Sequence, residues 1–155
     1  MVLTGTNLFS TDATRDEFFR GTADKAIISY PVGYDLTEGS ITDSTTETEV
    51  LDLVIESGSV INGIRIKALV QFRQNQTASF RYGLFKVKAG DDGSEALLTQ
   101  VVLYCGDDGA QSVWIEAIIS DLNWDKEQSV SITATNSYAS AQITSYGAQL
   151  IVDGF

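Results

Sequence analysis

Apolar side chains alternate with polar ones over most of this sequence, and this period of two constrains the fold more than any other feature. In its clearest stretch, Ile64, Ile66, Ala68, Val70 and Phe72 alternate with Arg65, Lys67, Leu69, Gln71 and Arg73. Successive side chains of a β-strand point to opposite faces of the sheet, so this pattern predicts a strand that covers a core on one side. Strands with one apolar and one polar face are typical of antiparallel sheets.

The same alternation, together with many β-branched and aromatic residues, extends along the chain. It predicts eight strands, at residues 25–30, 48–56, 63–73, 78–89, 95–105, 111–120, 128–136 and 139–153. Turn-forming residues separate these strands at roughly the 8–12-residue spacing of sandwiches and barrels. We therefore expect an all-β fold, an antiparallel eight-stranded β-sandwich of jelly-roll type that forms one domain over residues 25–155. Residues 31–47, rich in Thr, Ser and Gly, are expected to form a long loop.

The sequence predicts three hairpin turns between strands and one β-bulge within a strand. Residues 90–93 and 106–109 both read Gly-Asp-Asp-Gly, and Asp-Gly pairs favour hairpins because both residues tolerate positive φ angles. Residues 75–77 predict a third hairpin. The apolar alternation changes parity at Gly83, which predicts a β-bulge there.

Residues 1–24 are predicted to form an N-terminal arm that precedes the sandwich. Within this arm, residues 12–20 predict one short helix, which Asp12 would cap and Gly21 would end. The start of the sequence has neither the charged region nor the apolar block of a signal peptide, so we expect no secretory signal. No apolar stretch reaches the ~20 residues of a membrane-spanning helix, so we expect no membrane partner.

The composition excludes several classes of chemistry. The chain has no His and a single Cys, Cys105, so it can form neither a Ser-His-Asp triad nor a thiolate zinc site. The formal net charge is −11, which argues against nucleic acid as a partner because phosphates require a cationic surface. Glu116 is the best candidate for a glycosidase carboxylate, but no second acid pairs with it by spacing. We therefore expect no enzymatic activity and no cofactor.

Most of the basic residues fall in one short window. Between residues 65 and 88 the chain has no acidic residue, and it has six of its ten basic ones. With the bulge at Gly83, all six would face outward on adjacent strands and form a cationic face for an acidic partner or a sister subunit. They are Arg65, Lys67, Arg73, Arg81, Lys86 and Lys88. The alternative is an ordinary solvated strand face.

Two further groups are candidates for ligand binding. Asp121, Asn123 and Asp125 alternate like the start of a calcium loop, but the glycine and the bidentate glutamate of an EF-hand are missing. They leave a weak candidate for an irregular calcium site, against the alternative of a solvated turn. Trp114 and Trp124 are candidates for stacking on sugar rings, against the alternative that they fill a core or an interface.

The eight short strands, the Thr- and Ser-rich faces, the Asp-Gly turns and the short N-terminal segment resemble small jelly-roll virion proteins. The resemblance is to decoration, turret or spike-type subunits of viral capsids, and it covers the whole chain without a diagnostic motif. It implies a non-enzymatic structural protein at the virion surface that assembles with itself, most favourably as a homotrimer, and docks on a capsid shell. The alternative function is that of a carbohydrate-binding β-sandwich module.

Overall fold

The computed structural model describes residues 30–42, 44–75, 81–105, 109–139 and 143–155. The predicted N-terminal arm, its helix at residues 12–20 and the predicted domain boundary lie outside these residues. Most of the predicted first strand, at residues 25–29, lies outside them as well. None of the described residues belongs to a helix long and apolar enough to cross a membrane.

Eight β-strands account for most of the described chain. They are β1 (Tyr30–Thr42), β2 (Thr48–Ile55), β3 (Ile64–Gln74), β4 (Arg81–Gly90), β5 (Ala96–Cys105), β6 (Gly109–Ile119), β7 (Gln128–Asn136) and β8 (Ile143–Gly154). From β2 onward they match the predicted strands to within a few residues. The predicted fold class, all-β with eight antiparallel strands in two sheets, is confirmed.

The strands form two four-stranded sheets with a nested pattern of pairing. Sheet 1 has the order β1-β8-β3-β6 and sheet 2 has the order β2-β7-β4-β5. The pairs β1·β8, β2·β7, β3·β6 and β4·β5 are all antiparallel, and they alternate between the two sheets. The chain is therefore arranged as one long hairpin of four nested strand pairs that is rolled up on itself, which is the jelly-roll topology.

The core lies between the two sheets, where the inward side chains of the central strands meet. Along β3, buried residues alternate with partly exposed ones over almost the whole strand, as the sequence predicted. The fully buried apolar side chains of the four central strands are Ile64, Ile66, Ala68, Val70, Phe72, Phe85, Val87, Ala89, Val130, Ile132, Leu150 and Val152. Burial of these side chains is the main force that holds the sheets together.

The predicted long loop at residues 31–47 is wrong in its first part, because Tyr30–Thr42 forms the edge strand β1. This strand pairs with β8, and its register shifts at three places. An edge strand accepts Pro31 near its start because one of its sides has no hydrogen-bonded neighbour, and register shifts interrupt the alternation of its side chains. The sequence pattern therefore gave no sign of it.

Two of the three predicted hairpins are also wrong. Residues 75–77 follow β3 and residues 106–109 follow β5, but in both cases the next strand belongs to the other sheet. Residues 90–93 do close a hairpin, between β4 and β5. There, Ser94 N donates to Asp91 O at 2.9 Å and Gly93 has a φ of 73°, which favours glycine.

The predicted bulge at Gly83 is wrong as well. Gly83, Phe85 and Val87 all point inward in unbroken alternation, and the irregularity of the β4–β5 ladder lies between Val87 and Lys88. A Cβ atom at Gly83 would lie 2.7 Å from Cδ2 of Phe72, which faces it from sheet 1. Glycine is needed there because the Phe72 ring occupies the space that a side chain would fill.

Candidate interaction surface

The outer face of sheet 1 exposes large apolar side chains next to basic ones. Tyr34 is 56% exposed, Trp114 is 50% exposed and Ile118 is 63% exposed. Leu69 lies directly opposite Trp114, and Ile151 lies directly opposite Tyr34. We call the surface made by Tyr34, Leu69, Arg65, Lys67, Arg73, Trp114, Ile118 and Ile151 the sheet-1 face.

The register of the strands places two basic residues of the sheet-1 face each between an acidic residue and an aliphatic one. Lys67 lies between Glu116 on β6 and Ile151 on β8. Arg65 lies between Ile118 and Asp153 in the same way. Aromatic and arginine side chains in such a mixture are enriched at protein–protein interfaces, where the flat rings and the guanidinium groups contribute much of the binding energy.

The six basic residues of the sequence window do not share one face, and this part of the prediction is wrong. Arg65, Lys67 and Arg73 lie on β3 in sheet 1, whereas Arg81, Lys86 and Lys88 lie on β4 in sheet 2. The two strands are consecutive in the chain but belong to opposite layers of the sandwich. Whether the residues of either group act as an interface stays a prediction.

The lysines on sheet 2 have an acidic partner from outside the window. Glu47, one residue before β2, accepts hydrogen bonds from Nζ of Lys86 and Nζ of Lys88. Its carboxylate also accepts a hydrogen bond from Thr133 Oγ1 at 2.9 Å. The bond from Lys86 is the largest of the effects that together lower the pKa of Glu47 to about 2. The two lysines thus share one carboxylate, which offsets one of their two positive charges.

Arg81 lies at the start of β4, on the side of sheet 2 opposite to that of its neighbour Tyr82. Its Cζ atom lies 4.5 Å from the centroid of the Tyr138 ring, a cation–π contact. The neighbouring residue Tyr82 pairs across the strands with Tyr104, and their ring centroids are 5.5 Å apart. The two pairs lie on opposite sides of the sheet, and their partners come from different strands or from the end of β7, so alternation within β4 could not predict them.

The two tryptophans have different environments. Trp114 lies on the outward side of β6 and exposes half of its surface, so the prediction of a stacking residue stays open for it. Trp124 is only 9% exposed and packs in the core, so it cannot offer its ring to a sugar. The predicted stacking role of Trp124 is therefore wrong, and the alternative that it fills the core holds.

The weak calcium candidate adopts the geometry of a turn. Asn123 Oδ1 accepts a hydrogen bond from Asp125 N at 3.1 Å, which is the Asx-type bond of a solvated turn. The loop lines a cavity of about 290 Å³ that also contains Asp91, but that carboxylate is bound by Lys126 Nζ at 2.7 Å. Among the described residues, no three acidic or Cys side chains are placed to hold a metal ion together.

The fold and surface define a jelly-roll β-sandwich with an exposed face of aromatic, aliphatic and basic residues. No family model and no curated protein matches the sequence. Among solved structures, the chain is similar to a chain of the T13 infectious bursal disease virus particle, with a TM-score of 0.49 and 10% identity over 82% of this chain and 30% of that chain.

Two other solved structures have a similar architecture. Dimeric latent PorU from Porphyromonas gingivalis gives a TM-score of 0.47 and 10% identity over 84% of this chain and 13% of that one. The C-terminal domain of EclA, a sugar-binding protein, has a TM-score of 0.39 and 9% sequence identity, over 98% of this chain and 99% of that one. This chain thus spans 30% or less of the viral and PorU chains.

Proposed function

We propose that this chain is a non-enzymatic structural protein that acts through protein–protein contacts made by the sheet-1 face. The observation that carries the proposal is the exposure of Tyr34, Trp114 and Ile118 on the outer side of sheet 1, where Ile118 lies directly opposite Arg65. Large aromatic and aliphatic groups on a flat, mostly regular surface lose contact with water when a partner covers them, and this stabilises a complex.

The partners of the proposed assembly are a second copy of the chain and a larger protein shell. The jelly-roll topology supports a capsid-associated subunit of decoration or turret type at the virion surface by analogy of fold, and a homotrimer is the favoured oligomer. The chain carries 21 acidic residues against 10 basic ones, so Arg65, Lys67 and Arg73 on this face can pair with acidic groups of a second copy, as Glu116 and Asp153 of the same face can pair with basic ones.

The oligomeric state in solution tests this proposal. We expect light scattering to show a mass that rises with protein concentration toward that of an oligomer. Ile118→Asp, which puts a charge into the sheet-1 face, should weaken association about tenfold or more. Leu97→Asp is the matched control, because Leu97 is about as exposed as Trp114 but lies on β5 of sheet 2.

The outcome that contradicts the proposal is equally clear. A protein that stays monomeric at every concentration and every ionic strength, and that binds no shell protein, does not act by assembly. If both aspartate variants weaken association equally, the chain assembles but the sheet-1 face is not the surface responsible.

A further inference from the structure

Strand β5 forms one edge of sheet 2, and none of its ten residues is charged. It pairs with β4 on one side and with no described strand on the other. Its sequence, Ala-Leu-Leu-Thr-Gln-Val-Val-Leu-Tyr-Cys, also lacks proline and glycine. Proteins usually protect such edges with charges, prolines or bulges, because open N–H and C=O groups pair readily with another strand. Residues 99–105 have none of these, since the register shift of the β4–β5 ladder lies before Thr99.

The other three edge strands of the described sandwich are protected. β1 includes Pro31 and Asp35, and its register shifts at three places. β2 includes Glu49 and Asp52 and has one register shift, and β6 includes Glu116. Pairing one of these edges with the same edge of a second copy would bring like charges near each other. Pairing two β5 strands brings none together, although each chain has a net charge of −11.

Hydrogen bonds at one end of β5 show which backbone groups face the open edge. Ser137 N donates to Tyr82 O at 2.9 Å, and Tyr82 N donates to Ser137 Oγ at 3.0 Å, so the backbone of Tyr82 is directed toward β7. It is therefore directed away from Tyr104, its partner across the β4–β5 ladder. Tyr104 N donates instead to Oε1 of Gln111 on β6, at 3.1 Å. The backbone groups of Tyr104 thus lie on the side of β5 away from β4.

Two further residues of β5 direct their backbone groups to the same side. These groups alternate in direction along a strand, so those of Gln100 and Val102 face the open edge as those of Tyr104 do. Gln111 covers the N–H of Tyr104, whereas Gln100 and Val102 have no partner on this side among the residues that the structure describes. Both residues are exposed. The edge therefore offers two N–H and two C=O groups, two residues apart.

We propose that β5 is a pairing edge for a second copy of this chain, and that two β5 strands join antiparallel across a twofold axis at Val101. In this register, Gln100 of each copy lies opposite Val102 of the other, and four backbone hydrogen bonds use every open group of both edges. Val101 lies opposite the partner's Val101. A twofold axis lets one surface serve both copies, which is the commonest arrangement in homo-oligomers.

Side chains on the outer side of sheet 2 add apolar contact to this pairing. Leu84 lies opposite Val102, and Tyr82 lies opposite Tyr104 with ring centroids 5.5 Å apart. In the proposed register the Val102 side chains of the two copies become diagonal neighbours, which lie close enough to interact. The edge belongs to the sheet opposite to the sheet-1 face, so the inference goes beyond the proposed function and does not depend on it.

A disulfide introduced at the twofold axis tests the proposal. Val101→Cys is made in a chain that also carries Cys105→Ser, so that each copy has one thiol, and Ile118→Asp, so that the sheet-1 face does not contribute. Facing residues of a pair without mutual hydrogen bonds have Cα atoms about 4.5 Å apart, within the range that a disulfide joins. We expect mild oxidation to convert most of this chain to a covalent dimer.

Leu97→Cys in the same background is the matched control. Leu97 is more exposed than Val101, so random collisions would cross-link it more readily. In the proposed register the two Leu97 residues are eight positions apart along the paired strands, about 26 Å, which no disulfide can join. We expect it to stay largely monomeric under the same oxidation.

A change of the backbone at Val102 provides a second test. Val102→Pro removes an N–H that faces the open edge and removes no hydrogen bond to β4, so the fold should tolerate it. In the Ile118→Asp chain it should weaken dimerisation about tenfold or more by light scattering, because each copy loses a donor. Val102→Lys keeps the backbone and should act in the same direction. Val54→Lys, at an exposed position of β2, should leave the dimer intact, and circular dichroism verifies the fold of each variant.

Three outcomes overturn the proposal. They are equal cross-linking of Val101→Cys and Leu97→Cys, unchanged dimerisation in both Val102 variants, and growth of the Ile118→Asp chain beyond a dimer, which shows pairing of β5 with a different edge.

The two contacts can fail separately. The Ile118→Asp chain should keep the β5 dimer, and the Val102→Pro chain should keep association through the sheet-1 face. Leu97 lies outside the paired residues, so Leu97→Asp stays a control for the sheet-1 face.

Discussion

Glu47 shows how one residue changes the electrostatics of a whole surface. It lies in the short segment between β1 and β2, far in sequence from the two lysines that it binds. Thr133 on β7 completes the arrangement, so the carboxylate spans from β4 to the neighbouring central strand. Ser131 and Ser129, on the same outward side of β7 as Thr133, are buried as well.

Stability at low pH should depend on Glu47. The pKa of this carboxyl is lowered from 4.5 to about 2, so its stabilising effect is present at neutral pH and is lost as the pH falls through this range. We expect Glu47→Gln to lower the free energy of unfolding by about 1–2 kcal/mol at neutral pH, since the group is partly exposed to screening. Urea titrations at a series of pH values should show the difference between variant and wild type disappearing near pH 2.

Glu49 provides a control for Glu47→Gln, because its pKa is shifted in the opposite direction. Burial raises its pKa, and the nearby Asp52, Glu95 and Asp92 carboxylates raise it further. Its charged form is therefore destabilising in the fold, and this effect grows as the pH rises through the raised pKa. Glu49→Gln should stabilise the protein at neutral pH, where Glu47→Gln destabilises it. If both variants changed stability in the same direction, the assignment of these two environments would be wrong.

For residues outside regular strands, side-chain burial and contacts could not be predicted from the sequence. Trp114 lies in an alternating segment, so its position on one side of β6 could be predicted. Trp124 lies in the loop between β6 and β7, where no periodicity indicates direction, and only packing shows that it is buried. The same holds for Glu47, whose lysine partners are set by the position of its loop across sheet 2.

At the scale of elements, the contact between β3 and β4 joins the two sheets. These strands follow each other in the chain but lie in different layers, so their inward side chains face each other across the core. Phe72 fills the space above Gly83, and both are fully enclosed. The apparent change of parity in the sequence arises because Tyr82 is an exposed aromatic residue on the outward side, which the alternation alone assigned to the core.

Gly83→Ala should therefore destabilise the protein, although alanine suits a strand better than glycine does at an open position. The added methyl group would overlap the Phe72 ring, and overpacking of this kind costs about 1–3 kcal/mol. Thermal and urea unfolding measure the effect. The double variant Gly83→Ala with Phe72→Leu should lose less stability than the sum of the single changes, because leucine makes room for the methyl group. Simple additivity would contradict the contact.

Strand β1 is the element that the sequence did not predict. The central strands β3, β4 and β7 have apolar alternation because one side of each faces the core over its full length. The edge strand β1 has a proline, several small polar residues and three register shifts, and it is held by pairing with β8. Backbone hydrogen bonds to a neighbour do not depend on side-chain type, so such a strand has little signature in the sequence.

At the scale of the whole molecule, the fold is defined by contacts between distant parts of the chain. The outermost pair joins Tyr30 to Gly154, and the end of β8 is fixed by Phe155, whose N donates to Gly63 O at 2.9 Å. Three of the four nested pairs join strands that are not consecutive. Among the strands that the structure describes, only β4 and β5 are consecutive partners.

We therefore expect slow folding for a chain of this size. Long-range pairings require the closure of long loops before they contribute stability, so sandwiches of this kind fold in milliseconds to seconds. Stopped-flow refolding followed by tryptophan fluorescence measures the rate, because Trp124 becomes buried as the core forms. Refolding within microseconds would show that local contacts dominate.

The sequence by itself determined that this chain is built from antiparallel strands with one apolar side, which residues of β3 face the core, and which kinds of chemistry its composition excludes. Alternation shows which residues of a strand lie on its buried side, so these properties can be predicted from a short stretch of sequence. Only the tertiary structure decided which strands share a sheet, that the basic residues lie on opposite layers, and that Arg81 stacks on Tyr138. Those relations depend on the packing of distant segments around a common core, which the order of residues along a strand does not record.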